Sequence, residues 1–441
     1  MIEQSDLVVS TLGPPRYDSP RRSGTAATRN TGTPRFVSED RRVRFEDEIG
    51  GGVSDAELSF EKGGARERIF FDPSQTTAAV VTCGGLCPGL NNVIRSAYLE
   101  LSYNYGVRRV LGIRNGYHGL NPDVAADPVV IDRDFVHGIQ DRGGTVLGSS
   151  RGPQPPERMV DFLEQHDIDI LLCIGGDGTQ RGAHALVEEI ARRGLDKSVI
   201  GIPKTIDNDV PFVWMTFGYA TAIEQAAEVL RAAHVEAHGA PNGVGLVKLM
   251  GRDSGFVAAG AALASQDANF VLVPEVDFPL EGEGGFLEAL EARIRDRGHA
   301  LVVVAEGAGQ HLFGSRGDDR DASGNIEHHD IGELLRARAI EHFDRKGLEL
   351  NLKYLDPSYF IRSVPANGWD RVLCDRMARH AVHAAMAGKT DMLIGFHHAT
   401  LINVPIGTAV RERRVLDLAS DLWVGVLSTT GQPHWTGRAA G

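Results

Sequence analysis

Two short segments carry residue types at spacings that could do chemistry. The first, Gly175-Gly176-Asp177-Gly178-Thr179, follows the apolar run IDILLCI and opens a helical pattern. Glycines let a backbone approach a phosphate, and N–H groups at a helix start bind the anion. The Asp177 carboxylate could hold Mg²⁺, which is bound by few carboxylates together with phosphate oxygens. Taken alone, a tight strand-to-helix turn with an Asp aiding the cap explains the segment as well. The second, Pro203-Lys204-Thr205-Ile206-Asp207-Asn208-Asp209, ends the apolar run KSVIGIP. Two carboxylates one residue apart, beside a lysine and a hydroxyl, suit removal of a proton from an alcohol near a metal. An Asx-rich surface turn is the plain alternative. The glycine segment on the preceding strand weighs against that alternative.

Other nucleotide and metal signatures fail. Gly388-Lys389-Thr390 resembles the end of a Walker loop, but His383 occupies the first glycine position. No GxGxxG turn follows a strand. Cys83 and Cys87 have no His or Cys pair at zinc-finger spacing, so they read as small packed residues.

The elements that must position these segments alternate. TTAAVVT, RVLGIRNG, PVVI, IDILLCI, KSVIGIP, GVGLVKL, NFVLVP and ALVVVAE read as strands. GAHALVEEIARRG, GYATAIEQAAEVLRAAHVEA, GFVAAGAALA and GFLEALEARIRDR read as helices between them. Continuous apolar strands separated by helices imply βαβ units and mainly parallel sheets, with ligands beyond the carboxyl ends of the strands. Those ends carry many of the 52 glycines.

The chain has 441 residues, 42% hydrophobic and 24% charged, enough for two or three soluble domains. Its formal net charge of −13 argues against nucleic acid and anionic membrane as partners, though not against a small anionic substrate. Four cysteines make no disulfide framework. No secretory signal opens the sequence, and the apolar run FVAAGAALA is far shorter than the ~20 residues that span a bilayer. A cytoplasmic protein is expected. The first 75 residues differ from the rest, and PPRYDSPRRSGTAATRNTGTP lacks apolar periodicity. Residues 1–34 are expected to form a mobile arm, and Phe36 to Phe71 an extended cover.

Seven segments recur in one order: TCGGLCPGLN, GTVLGSSRG, IGGDGTQ, GIPKTIDND, KLMGRDSGF, AEGAGQ and LKYLDPSYFIR. Together they resemble the 6-phosphofructokinases, most closely the ATP-dependent plant and trypanosomatid type, from about Phe71 to Thr408. The resemblance implies an α/β protein of two Rossmann-like three-layer domains with the active site in the interdomain cleft. A larger ATP-binding domain would take residues 76–219 and 363–405. A smaller fructose-6-phosphate-binding domain would take 220–362 and 406–441, with residues 1–75 as an N-terminal extension. The activity implied is phosphoryl transfer from Mg·ATP to the 1-hydroxyl of fructose 6-phosphate, a step of glycolysis.

By the same resemblance Gly85, Arg151, Gly152, Gly176, Asp177, Gly178 and Thr179 would line the nucleotide phosphates, Asp177 being the magnesium carboxylate. Asp207 would be the general base, with Thr205 and Ile206 beside the substrate and Asp209 in support. Arg151 and Arg252 would neutralise charge on the transferred group. Met250, Gly251, Arg252 and Glu306 would surround the sugar. Tyr359, Phe360, Ile361, Arg362 and Lys353 would lie at the 6-phosphate, which a guanidinium can grip with two parallel bonds.

Two positions bear on the donor. Pyrophosphate-using relatives carry an Asp where Gly178 stands, filling space that an α-phosphate needs. They share Lys204, where bacterial ATP enzymes have Gly. Gly178 together with Lys204 is the plant and trypanosomatid combination, so ATP is expected. Gly243 departs from the bacterial pattern, in which an Arg reaches a neighbouring subunit's sugar phosphate. A homo-oligomer, dimer or tetramer, is expected by resemblance alone. The rival readings are a pyrophosphate-dependent phosphotransferase, a lipid or NAD kinase with a similar glycine loop, and a non-catalytic regulatory subunit.

Overall fold

The computed structural model describes residues 2–23, 36–46, 58–314 and 328–435. The chain divides into two compact units. The first comprises residues 1–205, 210–218 and 363–412; the second comprises 206–209, 219–362 and 413–441.

The first unit is built on a nine-stranded sheet. Five strands form its parallel centre, in the spatial order Arg109–Ile113, Thr77–Thr82, Ile170–Gly175, Ser198–Pro203, Met392–His397. Thr77–Thr82, Ile170–Gly175 and Ser198–Pro203 are buried at every residue, which is why their sequences run apolar without alternation. The chain's second strand lies on one side of its first, and its third on the other. The winding therefore reverses between Thr77–Thr82 and Ile170–Gly175, the position at which an open α/β sheet leaves a crevice beyond its carboxyl ends. Glycines stand at or just beyond both strand ends, Gly84 and Gly85 after the first and Gly175 and Gly176 at the second.

The sheet's flanks are antiparallel, which the apolar runs alone do not announce. Val129–Val130 closes one edge. Thr400–Pro405, Ser59–Lys62 and Arg42–Arg44 extend the other. The hairpin joining Met392–His397 to Thr400–Pro405 turns on His398 and Ala399, both at positive φ as a two-residue turn of this twist requires.

Residues 2–23 correct the expectation of a mobile arm. Leu7 is fully buried in the core of the first unit, and Ser10–Thr11 pairs antiparallel with Lys389–Thr390. Thr408 donates to the Asp6 carbonyl, and Arg21 pairs with the buried Glu100. One apolar anchor and borrowed strand edges order a stretch that has no periodicity of its own. The remainder of the expected arm, residues 24–34, lies outside the described residues.

The second unit holds a four-stranded, wholly parallel sheet in the order Phe270–Leu272, His299–Ala305, Gly243–Leu249, Asn351–Leu355. Helices Tyr219–His238, Phe256–Ser265, Phe286–Arg297 and Ile331–Arg345 lie between and around these strands. The core includes Phe270, Phe278, Phe286, Leu290, Ile331 and Phe343. The two central strands end at Leu249 and Ala305, so Met250, Gly251, Arg252 and Glu306 all fall at carboxyl ends. Among the described residues no helix is long and apolar enough to cross a membrane.

Candidate active site

In the first unit, three loops meet at the reversal point. Gly176 caps the helix Asp177–Arg192 in an extended conformation, so the chain turns directly from strand to helix. The first turn of such a helix presents N–H groups that lack intrahelical acceptors. Gly175 is obligatory: a Cβ there would stand 2.2 Å from the Thr179 Oγ1. The Gln180 amide donates to the Gly175 carbonyl (2.9 Å), and the Tyr117 hydroxyl donates to the Thr179 carbonyl (2.6 Å). At Gly178 the opposite holds, since a Cβ would have no atom within 4 Å. The Asp177 carboxylate is partly exposed and meets Arg181 one turn on, at 3.1 Å.

The first glycine loop is tied to its neighbours by backbone bonds. Cys83 N–H donates to the Ile174 carbonyl (2.9 Å) and Gly84 N–H to the Ser150 carbonyl (3.0 Å). The Ser149 hydroxyl donates to the Gly84 carbonyl at 2.6 Å. Lys204 is buried beneath this loop, its ammonium donating to the Gly85 carbonyl at 2.6 Å. The exposed Arg151 places a guanidinium nitrogen 3.8 Å from where a Cβ on Gly85 would lie, and Gly152 follows at positive φ. The structure thus gathers Gly85, Arg151, Gly152, Gly176, Asp177, Gly178, Thr179 and Lys204 on one rim. Thr205, next along the chain, accepts from the Thr216 hydroxyl at its carbonyl.

Among the described residues no group of three His, Cys, Asp or Glu side chains could hold a metal ion. A single carboxylate at a helix start is nonetheless a donor set that suits Mg²⁺ where phosphates and water supply the remaining oxygens. The Lys389 ammonium is buried against Glu61 and Glu39, so the partial Walker ending is structural. Cys83 and Cys87 are both buried, and the Cys87 thiol donates to the Phe217 carbonyl.

The second unit gathers side chains instead. Ile206 to Asp209 form a turn in which Asn208 has φ 56°. The Ser254 hydroxyl donates to the Asp207 carbonyl at 2.9 Å, and Arg414 N–H donates to the Asp209 carbonyl at 2.9 Å. Burial, reinforced by the carboxylates of Asp209 and Glu306, pushes the Asp207 carboxyl well above its ordinary range. The Arg252 N–H and the Arg413 charge pull the other way. Arg413 is itself paired with Asp253. Burial also raises Glu306, while Arg252 and Lys248 oppose it and Arg362 pulls in the same lowering direction.

Gly251 sits at φ 128°, where a Cβ would meet the Ser254 carbonyl at 2.5 Å. The glycine therefore lets Met250 and Arg252 turn off the strand end. In the helix Ser358–Arg362, Ile361 is buried, whereas Tyr359 and Phe360 are 74% and 78% exposed. The Arg362 guanidinium stacks over the Tyr359 ring at 4.5 Å.

Lys353 is the expected site residue that the structure does not bring here. It pairs in register with Gly245, while the strand end is at Leu249. Four residues at ~3.3 Å each put it roughly 13 Å short, beyond the reach of a lysine. Lys248, near the strand end, is the cation there, held by Asp330 at 2.8 Å and Asp356 at 3.1 Å. Lys248 and Ser254 lie within KLMGRDSGF, but the resemblance assigned them no role, and Arg413 lies outside every motif. The Arg413 partner is 160 residues away, a distance no local pattern bridges.

A doubly wound α/β sheet with glycine loops at its reversal point defines a phosphate-binding protein class. The particular family follows from comparison. The phosphofructokinase family profile matches residues 77–385, and the chain belongs to that family. It is 47% identical over 447 aligned residues to an ATP-dependent 6-phosphofructokinase of Amycolatopsis methanolica, covering 99% of this chain and 96% of the relative. It is 45% identical to that of Borreliella burgdorferi, covering 98% of each, and 44% identical to that of Trypanosoma brucei brucei, covering 97% and 88%. Among solved structures, a pyrophosphate-dependent phosphofructokinase from Marinobacter aquaeolei superposes with TM-score 0.66 at 20% identity, over 83% of this chain and 94% of that one. At that identity it shows the fold alone.

Proposed function

We propose that this chain transfers the γ-phosphoryl of Mg·ATP to the 1-hydroxyl of D-fructose 6-phosphate, giving D-fructose 1,6-bisphosphate and ADP. The observation that carries the proposal is Asp207, a carboxylate whose basicity is raised by burial and by two neighbouring carboxylates. A base poised upward in this way accepts the proton of a sugar hydroxyl as that oxygen attacks phosphorus. The P–O bond to ADP breaks as the new bond forms, and the proton remains on Asp207.

The first unit supplies the nucleotide half. Gly85, Gly176, Gly178 and Thr179 bring backbone close to the phosphates, and Arg151 with Gly152 completes the rim. Asp177 would hold Mg²⁺, which when bound neutralises charge on the transferred group. The open space at Gly178 leaves room for an α-phosphate and supports ATP as donor. Lys204 serves that half by holding the Gly85 carbonyl. The second unit supplies the acceptor half. Arg252 stabilises the developing charge, Glu306 accepts from sugar hydroxyls, and Arg362 with Tyr359 grips the 6-phosphate. Thr205, Ile206, Met250, Gly251, Phe360 and Ile361 shape the surroundings, and Asp209 sustains the Asp207 basicity.

A cytoplasmic homo-oligomer is part of the same reading. A side chain at Gly243 would meet the Ala237 carbonyl at 1.9 Å, so no arginine from that position serves a neighbouring subunit. Initial rates with fructose 6-phosphate, glucose 6-phosphate, a diacylglycerol and NAD as acceptors test the proposal. Turnover confined to fructose 6-phosphate is expected; turnover with a lipid or NAD instead would overturn it.

A further inference from the structure

The Asp207 turn is gripped from two sides, and both grips lead to one side chain. On one side the Ser254 hydroxyl holds the Asp207 carbonyl; on the other, Arg414 N–H holds the Asp209 carbonyl. The residue after Ser254 and the residue two beyond Arg414 donate their N–H groups to the same oxygen. Gly255 N–H reaches the Glu275 Oε1 at 3.0 Å and Leu416 N–H reaches it at 2.8 Å. Glu275 follows the Phe270–Leu272 strand, so it brings a third piece of chain to this junction. All of these residues belong to the second unit.

The packing leaves this carboxylate little freedom. A Cβ on Gly255 would stand 2.5 Å from Val273 and 2.9 Å from the Glu275 Oε2, so the helix Phe256–Ser265 starts with its backbone pressed on the carboxylate. The Glu275 Oε2 is buried with no hydrogen-bond partner, which marks Oε1 as the oxygen the fold uses. Burial also raises the Glu275 carboxyl above its ordinary range. An uncharged acceptor at Oε1 can therefore do the same work.

We propose that Glu275 is a positioning residue for phosphoryl transfer: by accepting from Gly255 and Leu416 at one oxygen, it locks together the two segments that aim the Asp207 carboxylate. Glu275 itself touches neither substrate nor the reacting atoms. The inference rests on the reading of Asp207 as base. It accounts for a half-buried glutamate that no sugar or nucleotide contact explains.

The test compares Glu275→Ala, Glu275→Gln and Glu275→Asp with Asp207→Asn in full-length enzyme, following kcat, KM and the pH profile of kcat/KM. Removing the acceptor lets the turn relax toward solvent. The Ala variant should then lose about tenfold to a hundredfold in kcat, with KM for fructose 6-phosphate within about threefold. The acid limb of its profile should move to lower pH, because relaxation relieves the burial that raises Asp207. Gln keeps an oxygen at the junction and should restore kcat to within about threefold of the parent; Asp, one methylene short, should fall between Gln and Ala.

A folded Ala variant with parental kcat and an unmoved acid limb would overturn the proposal, as would a Gln variant no better than Ala. If the Ala variant fails to fold, the Asp variant decides: a parental kcat and acid limb overturn the proposal, and the intermediate loss supports it. Near-parental turnover in Asp207→Asn would instead remove the base reading. An inactive Asp207→Asn beside an unaffected Glu275→Ala would remove only the positioning role.

Discussion

In the proposed function the two units handle anions by different means. The first works through backbone: glycines at strand ends, N–H groups at a helix start and carbonyls tied across loops. Of its charged members, Lys204 and Asp177 are already engaged with Gly85 and Arg181. The second works through side chains, with Asp207, Asp209, Glu306, Arg252, Arg362, Lys248 and Arg413 shaping one another's charge. Backbone recognition tolerates any nucleotide-sized anion that fits, whereas a side-chain cluster can tune a proton acceptor. The expectation is that damage to the first unit changes which donor is used, and damage to the second changes whether chemistry occurs.

The largest effect should come from the second unit. Asp207→Asn should lower kcat about 10³- to 10⁴-fold while leaving the Kd of both substrates within about threefold, measured by titration calorimetry beside steady-state rates. The parent's acid limb should lie above the ordinary Asp range. The base works only when deprotonated and its carboxyl is raised, so activity is lost earlier as pH falls; the Asn variant should lack that limb. Next comes the donor side. Gly178→Asp meets open space and places a carboxylate at a helix start, so melting should show stability within about 1 kcal/mol of the parent. Its ATP turnover should fall about a hundredfold through lost space and like-charge repulsion, and pyrophosphate should gain relative to ATP.

Arg362→Lys should raise KM for fructose 6-phosphate about tenfold with kcat nearly constant, since an ammonium cannot form the two parallel bonds of a guanidinium. The smallest kinetic effect belongs to the docked N-terminal segment. Leu7→Ala should cost about 2–5 kcal/mol in denaturant unfolding by emptying a buried site, yet leave steady-state constants as they were. Equal kinetic damage from Leu7→Ala and Arg362→Lys would blur the contrast between scaffold and site.

The contrast also governs what could be read from the sequence. A backbone site announces itself, because each glycine answers a local demand, such as the contact of Gly175 with Thr179. Most of the parallel strands and the helices between them were likewise legible from continuous apolar runs, but Asn351–Leu355 and Met392–His397 were not among the expected strands. The side-chain half was legible only where a whole motif travelled together, as in KLMGRDSGF. Its supports were not: Arg413 finds Asp253, and Glu275 finds Leu416, across 160 and 141 residues. The Leu7 anchor and the antiparallel flank were hidden for a related reason. Ser10–Thr11, Arg42–Arg44 and Ser59–Lys62, two to four residues long, bury too little alone and form only on an edge that distant segments provide. Lys353 fails in the reverse sense: the motif includes it, but the register leaves it mid-strand.

The central claim is that the γ-phosphoryl of ATP, held by backbone, passes to a sugar hydroxyl deprotonated by a tuned side chain. A single ³¹P NMR time course tests it most directly, with enzyme, Mg²⁺, fructose 6-phosphate and equal ATP and pyrophosphate in one tube. The prediction is one-to-one appearance of ADP and a phosphate on the sugar 1-oxygen, with the pyrophosphate signal constant. Consumption of pyrophosphate in place of ATP, or ADP formed without a sugar bisphosphate, would contradict it.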